Sequence, residues 1–516
     1  MIDRYDFLTI KNKLKDILAT VNQNVMPDLW CAINSSIKKM EEPMQLAIIG
    51  KISSSKSTLV NAILGKEEVM ATGQMEITYN VGWLKYGSPD SDIIVHHKDG
   101  TPPSYHSPND FLSWSANNEN STEIQNVSYI ELFDDAEILR QINIIDTPGL
   151  DAVRGQDSQN TLDFLSKIRP DAVIMLFTNS ISENILDVVS RFNSCGVFNP
   201  LNAIGVLAKI DNLWLGEIDR NITALQIGNA VVNNLMTTYP ILRKSIFKIY
   251  PMSALAFLKS TTISEADFRL IAQLADTDDE TLSDLLFSID EFVNDYDHVN
   301  LDKAKRIELG NKYGLYVISM IINSVKKKPS ITFQAINKML YEESGAEVFM
   351  RVLHNHFGNR SDLIKLESIY QVIKQTLMQE HCVMANSINT SIEDIFSSLV
   401  LEHKEYELLY KIYNEDMSKL DMDEEMAAEF KRICGEYGNS APERLGFDTK
   451  EDWDVDDLLN YAQSREEYWR AERNKELDPD IISWKNTLCK SYGNLRYTIE
   501  KMNYNYNKAN AFLYNK

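Results

Sequence analysis

Residues 46–64 restrict the fold more than any other part of the chain. Leu46-Ala47-Ile48-Ile49 is an apolar run, and Gly50-Lys51-Ile52-Ser53-Ser54-Ser55-Lys56-Ser57-Thr58 follows it. Leu59-Val60-Asn61-Ala62-Ile63-Leu64 comes next. The pattern predicts a buried strand, a turn of small residues and a helix. Such a turn gathers backbone N–H groups at a helix N-terminus, where they form a cradle for phosphate oxygens. Gly50, Ser54, Ser55, Lys56, Ser57 and Thr58 would line that cradle. Lys56 can reach the β- and γ-phosphates of a nucleotide, and the Ser57 hydroxyl can ligate Mg²⁺. The usual expression has Gly before the Lys, and here that residue is Ser55. Alone, the segment also fits an ordinary strand–turn–helix junction.

Three more signals follow in order, each behind an apolar run. Asp146-Thr147-Pro148-Gly149 comes after Ile142-Asn143-Ile144-Ile145. Asp146 can hold the water shell of Mg²⁺, and the Gly149 N–H can approach a γ-phosphate with no Cβ in the way. Ala203-Ile204-Gly205-Val206-Leu207 then leads into Ala208-Lys209-Ile210-Asp211. The Asp211 carboxylate can accept both edge donors of guanine, while the Lys209 stem lies on the base. Ile249-Tyr250-Pro251-Met252 ends at Ser253-Ala254-Leu255, where a backbone N–H can donate to guanine O6. Each signal has an ordinary explanation, because Asp-Thr-Pro-Gly is a good turn anywhere. Four in sequence point to a guanine-nucleotide domain binding GTP or GDP with Mg²⁺.

Composition narrows the partners. The net charge of −23 argues against nucleic acid, which needs clustered Lys and Arg, and against electrostatic docking on anionic lipid. Lys326-Lys327-Lys328 reads as a complement to a helix dipole. No apolar run approaches the roughly 20 residues of a membrane span. The five cysteines are scattered, which suits a reducing compartment and not a zinc or disulfide framework. His354 and His356, two apart, would not share a helix face. Residues 1–6 lack the basic start and apolar core of a signal peptide, so a cytoplasmic location is expected.

At 516 residues the chain should hold two or three domains. Residues 1–42 carry a helical stripe of Ile10, Leu14, Ile17, Leu18, Val21 and Val25. Residues 43–260 alternate strand and helix, with strands expected at 45–49, 79–85, 128–133, 141–145, 171–177, 202–208 and 246–250. That predicts an α/β domain with a mostly parallel sheet, helices on both faces and ligand at the strand carboxyl ends. Residues 261–516 read as helices packed in an extended bundle or stalk, with which 1–42 would pack. Leu363, Leu366, Ile369, Tyr370, Ile373 and Leu377 form one stripe there. Ile481, Trp484, Leu488, Tyr492, Leu495, Ile499, Met502 and Tyr506 form another, close to a heptad, and 438–454 reads as a loop. Lys312-Tyr313-Gly314-Leu315 and Glu343-Ser344-Gly345-Ala346 echo one another before amphipathic runs.

The stretch from Gly50 to Gly65 resembles the phosphate loop of bacterial dynamin-like proteins, G-x-F-S-S-G-K-S-T-L-x-N-A-L-L-G. Asp146-Thr147-Pro148-Gly149-Leu150, Thr161-Leu162-Asp163-Phe164-Leu165 and Asp171-Ala172-Val173-Ile174 are similar to the family's stretch after its second phosphate motif. On these residues the chain is identified as similar to the dynamin superfamily of large GTPases over about 43–258. The resemblance implies that Lys56 binds phosphate, that Ser57 and Thr78 contact Mg²⁺, and that the Thr78 carbonyl holds the attacking water. Ser53 would sit beside the bridging oxygen of the leaving group, and Lys209 and Asp211 would read guanine. Leu150 stands where Ras-like enzymes have a water-orienting Gln, which fits a family that relies on pairing across the nucleotide. Ser55, Ala208 (in place of an Asn or Thr) and Glu76-Ile77 before Thr78 depart from the family pattern.

The resemblance therefore implies GTP-dependent self-association, a partner dynamin-like protein, peripheral membrane contact and membrane remodelling. Apolar candidates for that contact are Leu315–Val325 and Ile395-Phe396-Ser397-Ser398-Leu399-Val400, each also explained as a buried helix turn. Two other readings stay open. One is a degenerate guanine-nucleotide-binding scaffold with little hydrolysis; the other is a translation-linked GTPase, for which the acidic C-terminal half supplies no RNA-binding appendage.

Overall fold

The computed structural model describes residues 4–51, 54–67, 69–70, 80–115, 122–149, 165, 168–178, 186, 189–190, 200–214, 222–296, 299–358, 360–380, 383–414, 420–438, 440–448 and 453–514. They form two compact units, 43–351 and 1–42 with 352–516. The first is built on a nine-stranded sheet ordered β4-β3-β5-β2-β6-β1-β7-β8-β9. Its strands are β1 (Met44–Gly50), β2 (Val81–Tyr86), β3 (Ile93–His97), β4 (Ser104–His106), β5 (Val127–Asp134), β6 (Ile142–Asp146), β7 (Ala172–Phe177), β8 (Ala203–Leu207) and β9 (Ile249–Pro251). β6, β1, β7, β8 and β9 run parallel, so their carboxyl ends share one edge. β1 and β7 are buried along their whole length, as a parallel strand covered on both faces must be.

The expected strands all form. β3 and β4 were not expected, and they pair antiparallel at the outer edge of the sheet. β4, Ser-Tyr-His, is too short and polar to signal a strand, and β3, Ile-Ile-Val-His-His, groups its apolar residues without the alternation that marks a half-buried strand. Asp171 sets the register at the centre: its carboxylate accepts the Gln45 N–H at 2.9 Å, tying the start of β1 to that of β7.

The helices around the sheet include α3 (Lys56–Leu64), α4 (Ala224–Thr238) and α5 (Ala254–Thr262), preceded in the chain by α1 (Arg4–Thr20) and α2 (Pro27–Lys39). The expected boundary at 260 is corrected: the sheet unit runs on to 351. It takes in α6 (Lys303–Lys327), α7 (Phe333–Glu343) and most of α8 (Ala346–Val352). One core causes this, because Tyr313, Val317, Ile318, Ile321, Ile322, Ile336 and Leu340 join Ala47, Val173, Phe177 and Leu207 in the same apolar cluster. Sequence periodicity reports that a helix has an apolar face, not which surface covers it. Leu315–Val325 thus packs in or against this core, and of the run 395–400 Ile395, Phe396 and Leu399 are buried while Val400 is exposed. Among the described residues no helix is long and apolar enough to cross a membrane.

The second unit contains α1, α2, α9 (Ser361–Gln379), α10 (Val383–Phe396), α11 (Val400–Asn414), α12 (Glu424–Ile433), α13 (Val455–Asn474) and α14 (Pro479–Tyr514). α2 packs on α9 and α1 on α10. The Lys365 ammonium, buried on α9, donates to the carbonyls of Lys39 and Glu42. The stripes on α9 and α14 supply core residues, although Met502 is 61% exposed, and in the stripe of 1–42 Val25, between α1 and α2, is 63% exposed. The expected loop 438–454 contains a short helix, Ala441–Leu445, closed at its start by a Ser440/Glu443 capping box.

Glu429 is the polar centre of this unit. Its carboxylate accepts two hydrogen bonds from Arg465, one from the Trp469 indole at 3.0 Å and one from the Tyr492 hydroxyl at 2.6 Å. Glu429→Ala strands a fully buried indole and phenol and leaves Arg465 unpaired, a loss of roughly 3 kcal/mol. Calorimetry should show the helical unit melting earlier while the sheet unit's transition stays in place.

Candidate nucleotide site at the carboxyl edge of the sheet

The site begins where β1 stops. Gly50 is required there by space: a Cβ would come within 2.7 Å of Ser54 Oγ and 2.9 Å of Leu176 Cβ. The loop then closes on itself, Ser54 N–H donating to Lys51 O at 3.2 Å, and α3 starts at Lys56 with Leu59 N–H bonded to Ser55 O. Ser55, which replaces the expected Gly, has φ +69° and ψ +29°. That is the left-handed region, where a side chain crowds the following carbonyl. The backbone needed at this position is therefore the glycine conformation, held by a serine. Ser55→Gly should stabilise the sheet unit by about 1 kcal/mol, less any entropic gain of the unfolded chain. A rise in that unit's melting temperature checks it.

Lys56 is folded back into the loop, its ammonium donating to Lys51 O at 2.8 Å and Gly50 O at 3.3 Å. Burial lowers its pKa to about 8, opposed by the charge of Asp146. One residue on, Ser57 Oγ donates to Asp146 Oδ2 at 2.9 Å, joining the first turn of α3 to the end of β6. Asp146 is 1% exposed, and its Oδ1 finds no hydrogen-bond partner among the described residues. Burial raises its pKa to about 6, against the pull of Lys56 and Ser57. Thr147 Oγ1 donates to Ile48 O at 2.9 Å, which fixes the turn after β6, and Gly149 is buried there.

A hydroxyl and a buried carboxylate with a spare oxygen are hard oxygen donors, the set that suits Mg²⁺. The Ser57–Asp146 pair therefore fits the expected ion. Ser54 Oγ is a second buried oxygen with no partner among the described residues. Ser53, Thr78, Glu76, Ile77 and Leu150 lie outside the described residues. Met70 and Asn80 are each held by a residue that sequence reasoning passed over. Asn61 on α3 exchanges two hydrogen bonds with the Met70 backbone, at 2.8 and 2.9 Å, and Asn80 Nδ2 donates to Trp114 O. A polar residue on the inner face of an otherwise apolar helix was the available signal.

The raised pKa of Asp146 has a definite sign. A carboxyl whose folded pKa is about 6, against 3.8 unfolded, contributes stability that is fully present below 3.8 and lost as pH rises through 6. Above that, the buried charge costs on the order of 3 kcal/mol. Asp146→Asn should accordingly raise the melting temperature of the nucleotide-free protein at pH 8. The gain should shrink towards pH 4.5, which a melting series across pH measures.

The second half of the site lies at the ends of β8 and β9. Lys209 is left-handed, φ +59°, and opens a 3₁₀ turn, Ile210–Leu213, that carries Asp211. Ala208 N–H donates to Phe177 O at 2.8 Å, Met252 N–H to Leu207 O at 2.9 Å and Ile210 N–H to Met252 O at 3.4 Å. These bonds pin the Lys209–Asp211 turn against the β9 loop. Ser253 Oγ caps α5 by accepting the Ala256 N–H at 3.2 Å. The expected O6 donor needs refinement, because the Ser253 N–H is committed to Ser344 O at 2.9 Å. Ala254 and Leu255 then supply the N–H groups of this helix end that have no intrahelical partner. Among the described residues no group of three or more His, Cys, Asp and Glu side chains is placed to hold a metal ion.

Residues 46–195 match the sequence model of the Dynamin family. The isoniazid-induced protein IniC of Mycobacterium tuberculosis is 26% identical over 434 residues, 82% of this chain and 84% of that protein. Dynamin-like protein 2 of Campylobacter jejuni is 26% identical over 216 residues, 41% of this chain and 34% of its own length. A solved bacterial dynamin, from an oligomerised pair described as sensing and tethering membranes, aligns over 97% of this chain and 92% of its own. Its TM-score is 0.35 and its identity 13%.

Proposed function

We propose that this chain, a member of the dynamin family through its sheet domain, binds GTP and GDP with Mg²⁺ and hydrolyses GTP. The observation that carries this reading is the meeting of Lys56, Ser57 and Asp146 at the joined ends of β1, α3 and β6. The Lys56 ammonium, now bonded to two loop carbonyls, exchanges them for β- and γ-phosphate oxygens. Ser57 and Asp146 would hold Mg²⁺, which when bound would neutralise phosphate charge. The backbone of Gly50, Ser54, Ser55 and Thr58 cradles the phosphates, with Ser53 beside the bridging oxygen. Thr78 supplies a second metal contact and a carbonyl for the attacking water, and the Gly149 N–H meets the γ-phosphate. Lys209 and Asp211 read the base, with O6 accepting from the Ala254 end of α5.

With Leu150 in place of a Gln, a lone sheet domain has little to orient water or neutralise developing charge. Pairing of two sheet domains across the nucleotide supplies both and moves the helical unit. On this reading the protein self-associates, works with a partner dynamin-like protein in the cytoplasm and touches membranes peripherally during remodelling. Nucleic acid is not a partner. Of the two apolar candidates, 315–325 and 395–400, the apolar residues are largely buried apart from Val400, so membrane contact would draw mainly on another surface. A second reading, a nucleotide-binding scaffold with little turnover, is favoured by one observation: the Ser55 side chain sits at a strained backbone position beside the phosphate cradle.

GTP hydrolysis by the purified chain, with Lys56→Ala as the blank, tests the two. Specific activity should rise with protein concentration, and GDP with aluminium fluoride should shift the mass from monomer to dimer. Activity indistinguishable from the blank would leave the scaffold. Turnover per molecule that stays flat on dilution, with a constant mass, would remove the pairing step.

A further inference from the structure

The two echoing tetrapeptides meet at one place. Gly314 breaks α6 with φ +69° and ψ +157°, a conformation open essentially to glycine. Gly345, between α7 and α8, has φ +83°. Both lie against the chain that leaves β9. A Cβ on Gly345 would stand 2.4 Å from Pro251 O and 3.5 Å from Met252 Cα, and one on Gly314 would stand 3.3 Å from Leu255 Cδ2. Between them Ser344 O accepts the Ser253 N–H at 2.9 Å. Residues 251–255 are thus gripped by two kinks from helices that follow them in the chain by some sixty to ninety positions.

Each kink is held in place. Ser344 is fully buried, its hydroxyl donating to Tyr341 O at 2.8 Å and accepting the Ala346 N–H at 3.2 Å. Tyr341 packs edge-on against Phe257 of α5, ring centroids 5.7 Å apart. At the other kink the Tyr313 hydroxyl and the Lys312 ammonium both donate to Asp267, at 2.6 and 2.8 Å. Tyr316, two residues past Gly314, meets Trp214 at the end of the Asp211 turn, with 6.1 Å between centroids.

We propose that the Gly314 and Gly345 kinks are positioning elements of the base site. They set the β9–α5 loop at the height where the first N–H groups of α5 reach the purine 6-oxygen. Occupying the Ser253 N–H with Ser344 O selects the next residues as donors, and a glycine at 345 lets the turn come close enough to do so. This rests on the guanine reading above.

The test separates the 6-oxygen from the rest of the base. Affinities of the full chain for GTP, 6-thio-GTP and ITP are measured by calorimetry. Sulfur at position 6 is a poor acceptor, while ITP keeps the oxygen and lacks only the amine that Asp211 accepts. The unmodified protein should prefer GTP over 6-thio-GTP by about fivefold, one neutral hydrogen bond. Gly345→Ala should bring that ratio near one and leave the GTP/ITP ratio unchanged. Gly314→Ala should act in the same direction and serves alone if Gly345→Ala fails to fold, as circular dichroism reports. Equal loss for all three nucleotides, or an unchanged GTP/6-thio-GTP ratio in a folded variant, overturns the inference while the guanine reading stands. If the unmodified protein binds ATP as tightly as GTP, the guanine reading itself falls, and this inference with it.

Discussion

The hydrogen bond from Ser57 to Asp146 joins the start of α3 to the end of β6, and much of the site follows from it. A carboxylate with one exposed percent of its surface is tolerated in a protein only when something offsets its charge. Here a single hydroxyl and a nearby lysine do so incompletely, leaving the carboxyl raised to about 6 and the lysine depressed to about 8. Both groups are held away from their solution behaviour by the same burial. A divalent cation with a polyphosphate would relieve both, giving the carboxylate a metal and the ammonium an anion. Ser54 Oγ and Asp146 Oδ1, which have no partner among the described residues, fit that complement.

The sheet's carboxyl edge was legible because its chemistry is local. Strand, turn and helix each announce themselves within a few residues, so Gly50–Thr58, Asp146–Gly149, Lys209–Asp211 and Ser253–Ala254 could be located before any fold was known. Ser55 was legible as a departure, and its left-handed backbone gives the physical reason a glycine is usual there. The edge strand β4 was not legible because three largely polar residues carry no pattern, and β3 beside it shows no apolar–polar alternation to mark it. The domain boundary was not legible either. A stripe such as Tyr313, Val317, Ile321 looks the same whether it covers a sheet or another helix, and only the shared cluster with Phe177 and Leu207 decides it.

What sequence reading missed were the long-range restraints. Asp171 on the Gln45 N–H, Asn61 on Met70 and Ser344 on the Ser253 N–H each join residues that have no pattern in common. Each is a polar side chain or backbone group buried to satisfy another one elsewhere in the chain. The echo of Gly314 and Gly345 was visible as text, but its meaning lay in backbone angles that letters do not carry.

The helical unit is discontinuous, and that fixes an order of events during synthesis. Residues 1–42 leave the ribosome about three hundred residues ahead of the chain they pack with, which begins at 352. At about 5–20 residues per second they wait tens of seconds. Throughout that interval α1 and α2, whose Leu14, Leu29 and Ile33 are buried in the finished protein, have each other but lack α9 and α10. The sheet unit between them can fold as soon as residue 351 emerges, and it then separates the two halves of a bundle that is still incomplete. The helices of 1–42 therefore reach their native setting only after the whole sheet unit has been made.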